Sequence, residues 1–397
     1  MTELGTKASA PGRLHALDYM RLAAALSVLA FHYFFNGILN GKIASLQEPT
    51  RFADVAKYGH LGVNWFFLIS GFIIFQSAHG KSAREFAVGR AVRLYPAFWA
   101  AVALTTVVTI FWGARSHLTV SPVQVLANLT MVPRVFGAAP VDGVYWTLQL
   151  EIFFYLVVFS FLLARRLDLF ARLLPLWALA NAAGVLVLHV PDSTPLLGGY
   201  FALFAAGAII AEVQRDGWTA WRTVGLVAAY VASAVTATRH IQDLARELET
   251  SFNQAFVAAS MLLIFGSLLL LAIPAVRDVR LPAAVALGAL TYPLYLIHAH
   301  IGYIALTHFA RPASRAAAYI GIIAAVVAVA WVIHRVVERR PRSAWYLGFD
   351  WVYSAFASIG SRLTSRSRSG PPVQEDAPPE RSLGDAGSPR ANSPRTN

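Results

Sequence analysis

The sequence predicts an all-α integral membrane protein, a polytopic bundle of about ten transmembrane helices with both termini cytoplasmic, and three observations predict it. The first is composition: of 397 residues, 57% are hydrophobic and only 14% charged, with a mean hydropathy of +0.54. Soluble domains carry about 25% charged residues, so this chain cannot cover a water-facing surface, and the bilayer is its solvent. The second is a set of ten apolar runs, each long enough to cross about 30 Å of hydrocarbon. They lie at roughly 17–38, 59–77, 95–113, 145–164, 173–190, 196–212, 223–238, 253–274, 285–307 and 315–336. The third is the placement of cations. The connections holding Lys81, Arg84, Arg90, Arg93, Arg165, Arg166, Arg172, Arg215, Arg222, Arg277 and Arg280 are the more basic set and are expected in the cytoplasm. Lys42, Arg51, Lys57, Arg115, Arg134, Arg239, Arg246 and Arg311 fall on the other side, and the Arg-rich stretch from Arg335 onward decides the orientation.

Taken in order, residues 1–16 are a short cytoplasmic segment. The first span holds Asp18 and Arg21 with no small-residue cleavage pattern after it, so it is expected to be retained and not removed as a signal peptide. The membrane domain occupies 17–341, an amphipathic or interfacial juxtamembrane segment 342–359, and a Ser/Pro/Gly/Arg-rich cytoplasmic tail 360–397, whose composition predicts disorder. No outer connection exceeds about thirty residues, which leaves no room for a folded domain there, so the working unit is the bundle. The absence of cysteine excludes disulfides, thiolate metal sites, thiol catalysis and palmitoylation. A net charge of +12 is spread between apolar runs, so nucleic acid is not an expected partner. His298 and His300 point about 200° apart on a helix and cannot chelate one ion, so no metal site is expected.

Ionisable side chains inside apolar spans are expensive and mark function by default. Arg21 and His32, eleven positions apart, share one face of the first span and are separated by about 16 Å. Asp18 lies one turn below Arg21. Counting rise from the span ends places His32, Glu151 and His298 at one depth, in the outer part of the hydrocarbon, with Arg21 near the cytoplasm. A carboxylate facing a histidine would hold its tautomer and stabilise its protonated form, as a general base requires. A snorkelling Arg21 paired with Asp18, a core histidine and a polar cluster that glues helices are the competing structural readings. Arg90 and Arg93, at i and i+3, could fork onto phosphates or simply mark the cytoplasmic side. Ser70-Gly71 interrupts an aromatic run, through either close helix packing or a cavity lining.

In order along roughly 13–341, these residues resemble the membrane acyltransferase-3 family of polytopic bacterial enzymes that O-acylate sugars. The resemblance is carried by Arg13 to His32 with its Arg-x10-His spacing, Phe66-Phe-Leu-Ile-Ser-Gly71-Phe, Arg90-x-x-Arg93-Leu-Tyr-Pro96, Tyr145-Trp146-Thr147-Leu-Gln-Leu-Glu151 through Tyr155, and Leu290-Thr-Tyr292-Pro-Leu-Tyr295-Leu-Ile-His298. Thr147 stands where the family usually has Ser, and Glu338-Arg-Arg-Pro341 is one residue longer than the usual Glu-x-Pro. The resemblance implies an inner-membrane enzyme with no permanently bound cofactor. Its donor would be cytoplasmic acyl-CoA, acetyl-CoA above all, and its acceptor a hydroxyl of a sugar, glycolipid or polysaccharide, as in lipopolysaccharide. On this view Arg21, Arg90 and Arg93 hold the CoA phosphates, and the pantetheine arm reaches up to His32. His32 deprotonates the acceptor, with Glu151 or, less favoured by its depth, Asp18 as orienting carboxylate. Trp146 and Tyr155 stack on a sugar or pack in the core, and His298 serves the acceptor or the structure. A glycolipid or solute transporter is the competitor from another class, separated by its indifference to acyl-CoA.

Overall fold

A computed structural model describes residues 14–368, and every regular element among them is helical. Most of the expected 1–16 segment and residues 369–397 of the expected tail lie outside the described residues. Helix α1 (His15–Phe31) passes at His32 into a π-helical turn, His32–Asn36, and a last turn Gly37–Leu39. Two short turns, Ala53–Ala56 and Lys57–His60, lead into α2 (Leu61–Ala78), followed by α3 (Ala83–Trp112). The bundle continues with α4 (Trp146–Leu163), α5 (Leu167–Leu186), α6 (Gly199–Asp216), α7 (Ala220–Glu247) and α8 (Gln254–Leu269). Helices α9 (Ala284–Ile297), α10 (Ala299–Phe309) and α11 (Arg315–Val332) complete it, and α12 (Arg342–Arg368) follows in the chain.

Among the described residues eight helices, against the ten spans expected, are long and apolar enough to cross a membrane, and α9 with α10, bent by 69°, make up to a ninth. The sixth expected span is α6, and it is a special case. Every residue from Gly199 to Val213 is buried, so α6 presents no face to lipid and is the inner pillar of the bundle. Its last turn carries Glu212, Arg215 and Asp216, joined with Arg222 in ion pairs. Helices α2, α5 and α7 pack around it. The approach of α2 is set by two glycines: a Cβ at Gly71 would strike the backbone of Phe204, and one at Gly207 the backbone of Leu68, Phe72 and Gly71. Close packing therefore accounts for Gly71, while Ser70 lines a cavity.

Two boundaries differ from expectation in ways that matter for the site. Helix α3 starts twelve residues before the expected third span, because Ser82 and Glu85 form a reciprocal capping box at its N-terminus. Its 30 residues rise about 45 Å, so Arg90 and Arg93 sit on the spanning helix itself and not on a connection before it. The ninth run is not one straight helix: it breaks at His298, which ends α9 and precedes α10.

Chain compactness changes at Asp350, inside α12, whose helix runs on to Arg368 past the expected boundary at 359. In the first unit, Arg84 donates to both carboxylate oxygens of Asp350, at 2.7 and 2.6 Å, and holds that exposed carboxyl below its ordinary range. The second unit, from Trp351, is described only as the remainder of this helix.

Candidate active site

One internal cavity of about 100 Å³ is lined by α1, α2, α3, α4 and α9, and three arginines face it: Arg21, Arg90 and Arg93. On α3 the i, i+3 spacing puts Arg90 and Arg93 on the same side. Arg90 donates from Nη2 to Ser77 Oγ at 2.7 Å and lies over the Phe86 and Tyr155 rings, 5.6 and 5.7 Å from their centres. Arg93 lies over Tyr292 at 5.5 Å. Stacked guanidiniums keep their planar forks oriented while leaving N–H groups to bind an anion. Glu151 also lines the cavity and accepts a hydrogen bond from Tyr155 Oη at 2.6 Å. Asp18 is buried with its carboxylate against Gly288 of α9, close enough to act on Arg21. Three cations and two carboxylates leave an electropositive end, suited to phosphate or another oligoanion.

From this end the lining reaches Tyr295, whose hydroxyl is hydrogen-bonded to Thr147 Oγ1 at 2.8 Å. Behind Tyr295 sits a histidine cluster. The His298 ring centre is 5.6 Å from that of Tyr295 and 5.1 Å from that of His32. His298 Nδ1 donates to Tyr295 O at 2.8 Å, and its Nε2 is buried with no hydrogen-bond partner. Leaving such an acceptor unsatisfied costs about 1–3 kcal/mol, and sites of reaction commonly bear that cost. His32 Nδ1 is hydrogen-bonded to Tyr303 Oη, which also accepts from Asn36 Nδ2 at 3.2 Å. Both His32 and Asn36 belong to the π-helical turn, a distortion that recurs at functional sites. Asp142 is fully buried, accepting from His300 N–H at 2.9 Å and Val144 N–H at 3.2 Å. It is the carboxylate whose charge bears on His298.

The Tyr303 ring rests on Gly37, where a Cβ would overlap its edge. Gly37→Ala is therefore expected to push Tyr303 off His32 and destabilise the fold by about 1–3 kcal/mol. A thermal melt in detergent reads this, and an unshifted midpoint would refute the contact.

The structure separates residues that depth counting had joined. His32 and His298 come together as expected, but Glu151 does not orient His32: it lies among the arginines, bonded to Tyr155. The count took Tyr145 as the membrane edge, whereas Asp142, Val144 and Tyr145 are themselves buried in a 3-10 turn ahead of α4. The helical segment thus begins before the residue from which the count started. Tyr155 is likewise at the arginine end and away from an acceptor at the histidines, and Trp146 packs against Phe67 and Tyr200. The sequence reading missed Asp142, Tyr295, Tyr303 and Asn36. Asp142 reads as an ordinary loop acid, and nothing in its neighbours' hydropathy signals full burial.

The membrane bundle thus holds an arginine-lined cavity that ends at Tyr295, with His298 and His32 packed beyond it. The chain belongs to the acyltransferase-3 family: the family model described as an acyltransferase domain matches residues 14–335, which include both ends of the site. It is thus a multi-pass membrane acyltransferase. Among curated relatives, the acyltransferase MdmB of Streptomyces mycarofaciens is 26% identical over 373 residues, 82% of this chain and 91% of that one. The exopolysaccharide production protein ExoZ of Rhizobium meliloti is 30% identical over 249 residues, 60% and 75% of the two chains. Nodulation protein 10 of Rhizobium leguminosarum bv. viciae is 28% identical over 199 residues, 45% of this chain; the match spans only 49% of that protein. No solved structure matches the chain.

Proposed function

We propose that this protein is an acyl-CoA-dependent O-acyltransferase of the bacterial inner membrane, moving an acyl group, acetyl in the first instance, to a hydroxyl of a sugar, glycolipid or polysaccharide. The observation that carries the reading is the continuity of one cavity from Arg21, Arg90 and Arg93 to Tyr295, against which His298 and then His32 are packed. The arginines suit the phosphates of CoA, with both chain termini and this end of the bundle on the cytoplasmic side. The pantetheine arm would run from this end toward Tyr295, and the histidines beyond it would supply proton transfer beside the thioester. With no cysteine in the chain, direct transfer to the acceptor is the simplest chemistry. The exopolysaccharide role in the name of one relative favours a glycan acceptor.

The test supplies radiolabelled acetyl-CoA to inside-out membrane vesicles and counts label in the glycan fraction. Label that depends on the protein is expected. Failure to consume any acyl-CoA, short or long, together with CoA-independent movement of a glycolipid, would replace the transferase by a transporter.

A further inference from the structure

We propose that the two histidines divide the chemistry: His298, through its unpartnered Nε2, takes the proton of the acceptor hydroxyl, and His32, with its hydrogen fixed on Nε2, donates a hydrogen bond to the thioester oxygen. This assignment rests on the acyl-transfer reading above and reverses the base role that the sequence leads one to expect for His32.

Bonding partners fix where the hydrogen sits on each ring. The partner of His298 Nδ1 is the Tyr295 carbonyl, which can only accept. The hydrogen of neutral His298 is therefore on Nδ1, and the Nε2 lone pair is the group left buried without a partner. His32 has the opposite pattern. Its Nδ1 meets Tyr303 Oη, and that oxygen already receives a hydrogen from Asn36 Nδ2. Tyr303 is only 2% exposed, so its own hydrogen needs an acceptor inside the protein, and His32 Nδ1 is the acceptor bonded to it. The imidazole of His32 consequently carries its hydrogen on Nε2. Tyr303 and Asn36 are positioning residues in this scheme. The result is a proton acceptor and a hydrogen-bond donor on two rings 5.1 Å apart, edge to face, which are the two groups acyl transfer requires. Asp142, His300 and Lys42 are the other titratable groups acting on the pair.

In the reaction the acceptor oxygen bonds to the thioester carbonyl carbon as its proton passes to His298 Nε2. The carbonyl electron pair moves onto oxygen, which accepts a hydrogen bond from His32 Nε2–H. Collapse re-forms the carbonyl and breaks the C–S bond, and the His298 imidazolium returns its proton to the departing CoA sulfur. Protons and electrons balance without any further reactant.

Glutamine separates the roles, because its amide supplies an N–H but no titratable base. Transfer from labelled acetyl-CoA is measured against pH in vesicles holding wild type, His32→Gln or His298→Gln, with CoA binding as the control for folding. A base requirement makes kcat fall toward acid as the base is protonated. His32→Gln is expected to lower kcat about 10–100-fold and keep that acidic limb. His298→Gln is expected to lower kcat about 10²–10⁴-fold and flatten the limb. The His32→Gln profile is decisive alone, whatever the fate of the His298 variant: a retained limb supports the assignment and a lost limb overturns it. A wild type inactive with every acyl-CoA would sink the transferase reading and the assignment together; an active wild type whose His32→Gln variant loses the limb sinks only the assignment.

Discussion

Gly207→Leu is expected to leave no folded protein. The atoms that a side chain would meet at position 207 are backbone atoms of Leu68, Phe72 and Gly71, which cannot rotate aside. Overpacking costs about 1–3 kcal/mol where neighbouring side chains can adjust; here a whole helix must move. Helix α6 is buried along fifteen consecutive residues and is enclosed by α2, α5 and α7, so it cannot slide toward lipid without opening three interfaces. Detergent extraction followed by size-exclusion chromatography should find aggregate or nothing. Gly71→Ala, which meets the backbone of Phe204 from the other side, should lower the melting temperature. Gly266→Ala and Gly321→Ala, where a Cβ meets nothing within 4 Å, serve as controls and should melt as wild type. A monodisperse Gly207→Leu protein with a normal melt would disprove the glycine-mediated crossing.

The same crossing shows what could and could not be read from the sequence. Hydrocarbon thickness fixes the length of an apolar run, so most spans were legible from residues 17 to 336 without any structure. Arg90 and Arg93 were legible as a pair because helical spacing alone puts i and i+3 together. His298 was legible as an expensive group in an apolar run. Depth was not legible, because counting rise presumes that each run starts at the membrane edge. Helix bounds also depart from the apolar runs, through the 3-10 turn ahead of α4 and the capping box at Ser82 ahead of α3. Glu151, expected beside His32, is instead bonded to Tyr155 at the arginine end. The break at His298 and the π-helical turn at His32 were invisible for a different reason. Both are set by packing, with the Tyr33 hydroxyl bonded to His298 O at 2.8 Å and pressed on Gly302, and such contacts join residues some 265 positions apart. Tyr303 and Asn36 acquire their significance only from that packing.

If acyl-CoA is the donor as proposed, Arg93→Ala should raise its KM about 10–100-fold with little change in kcat. A hydrogen bond to a charged group contributes about 1.5–3 kcal/mol, and each 1.4 kcal/mol is a factor of ten in affinity. The guanidinium is held over Tyr292 at 5.5 Å, oriented before any ligand arrives, so little ordering is required on binding. It is separated from the histidines by Tyr295, and a phosphate held there interacts equally in ground and transition states. Such uniform binding appears in KM and not in kcat. Arg93→Lys should fall between, keeping the charge and losing the fork. The discriminating substrate is a short N-acetylcysteamine thioester, which offers the reacting group without nucleotide or phosphates. Wild type and Arg93→Ala should use it equally, because the arginine then has nothing to hold. If kcat fell with that truncated donor while the KM for acyl-CoA stayed unchanged, Arg93 would belong to the reacting end, and the direction in which the donor threads this cavity would have to be reversed.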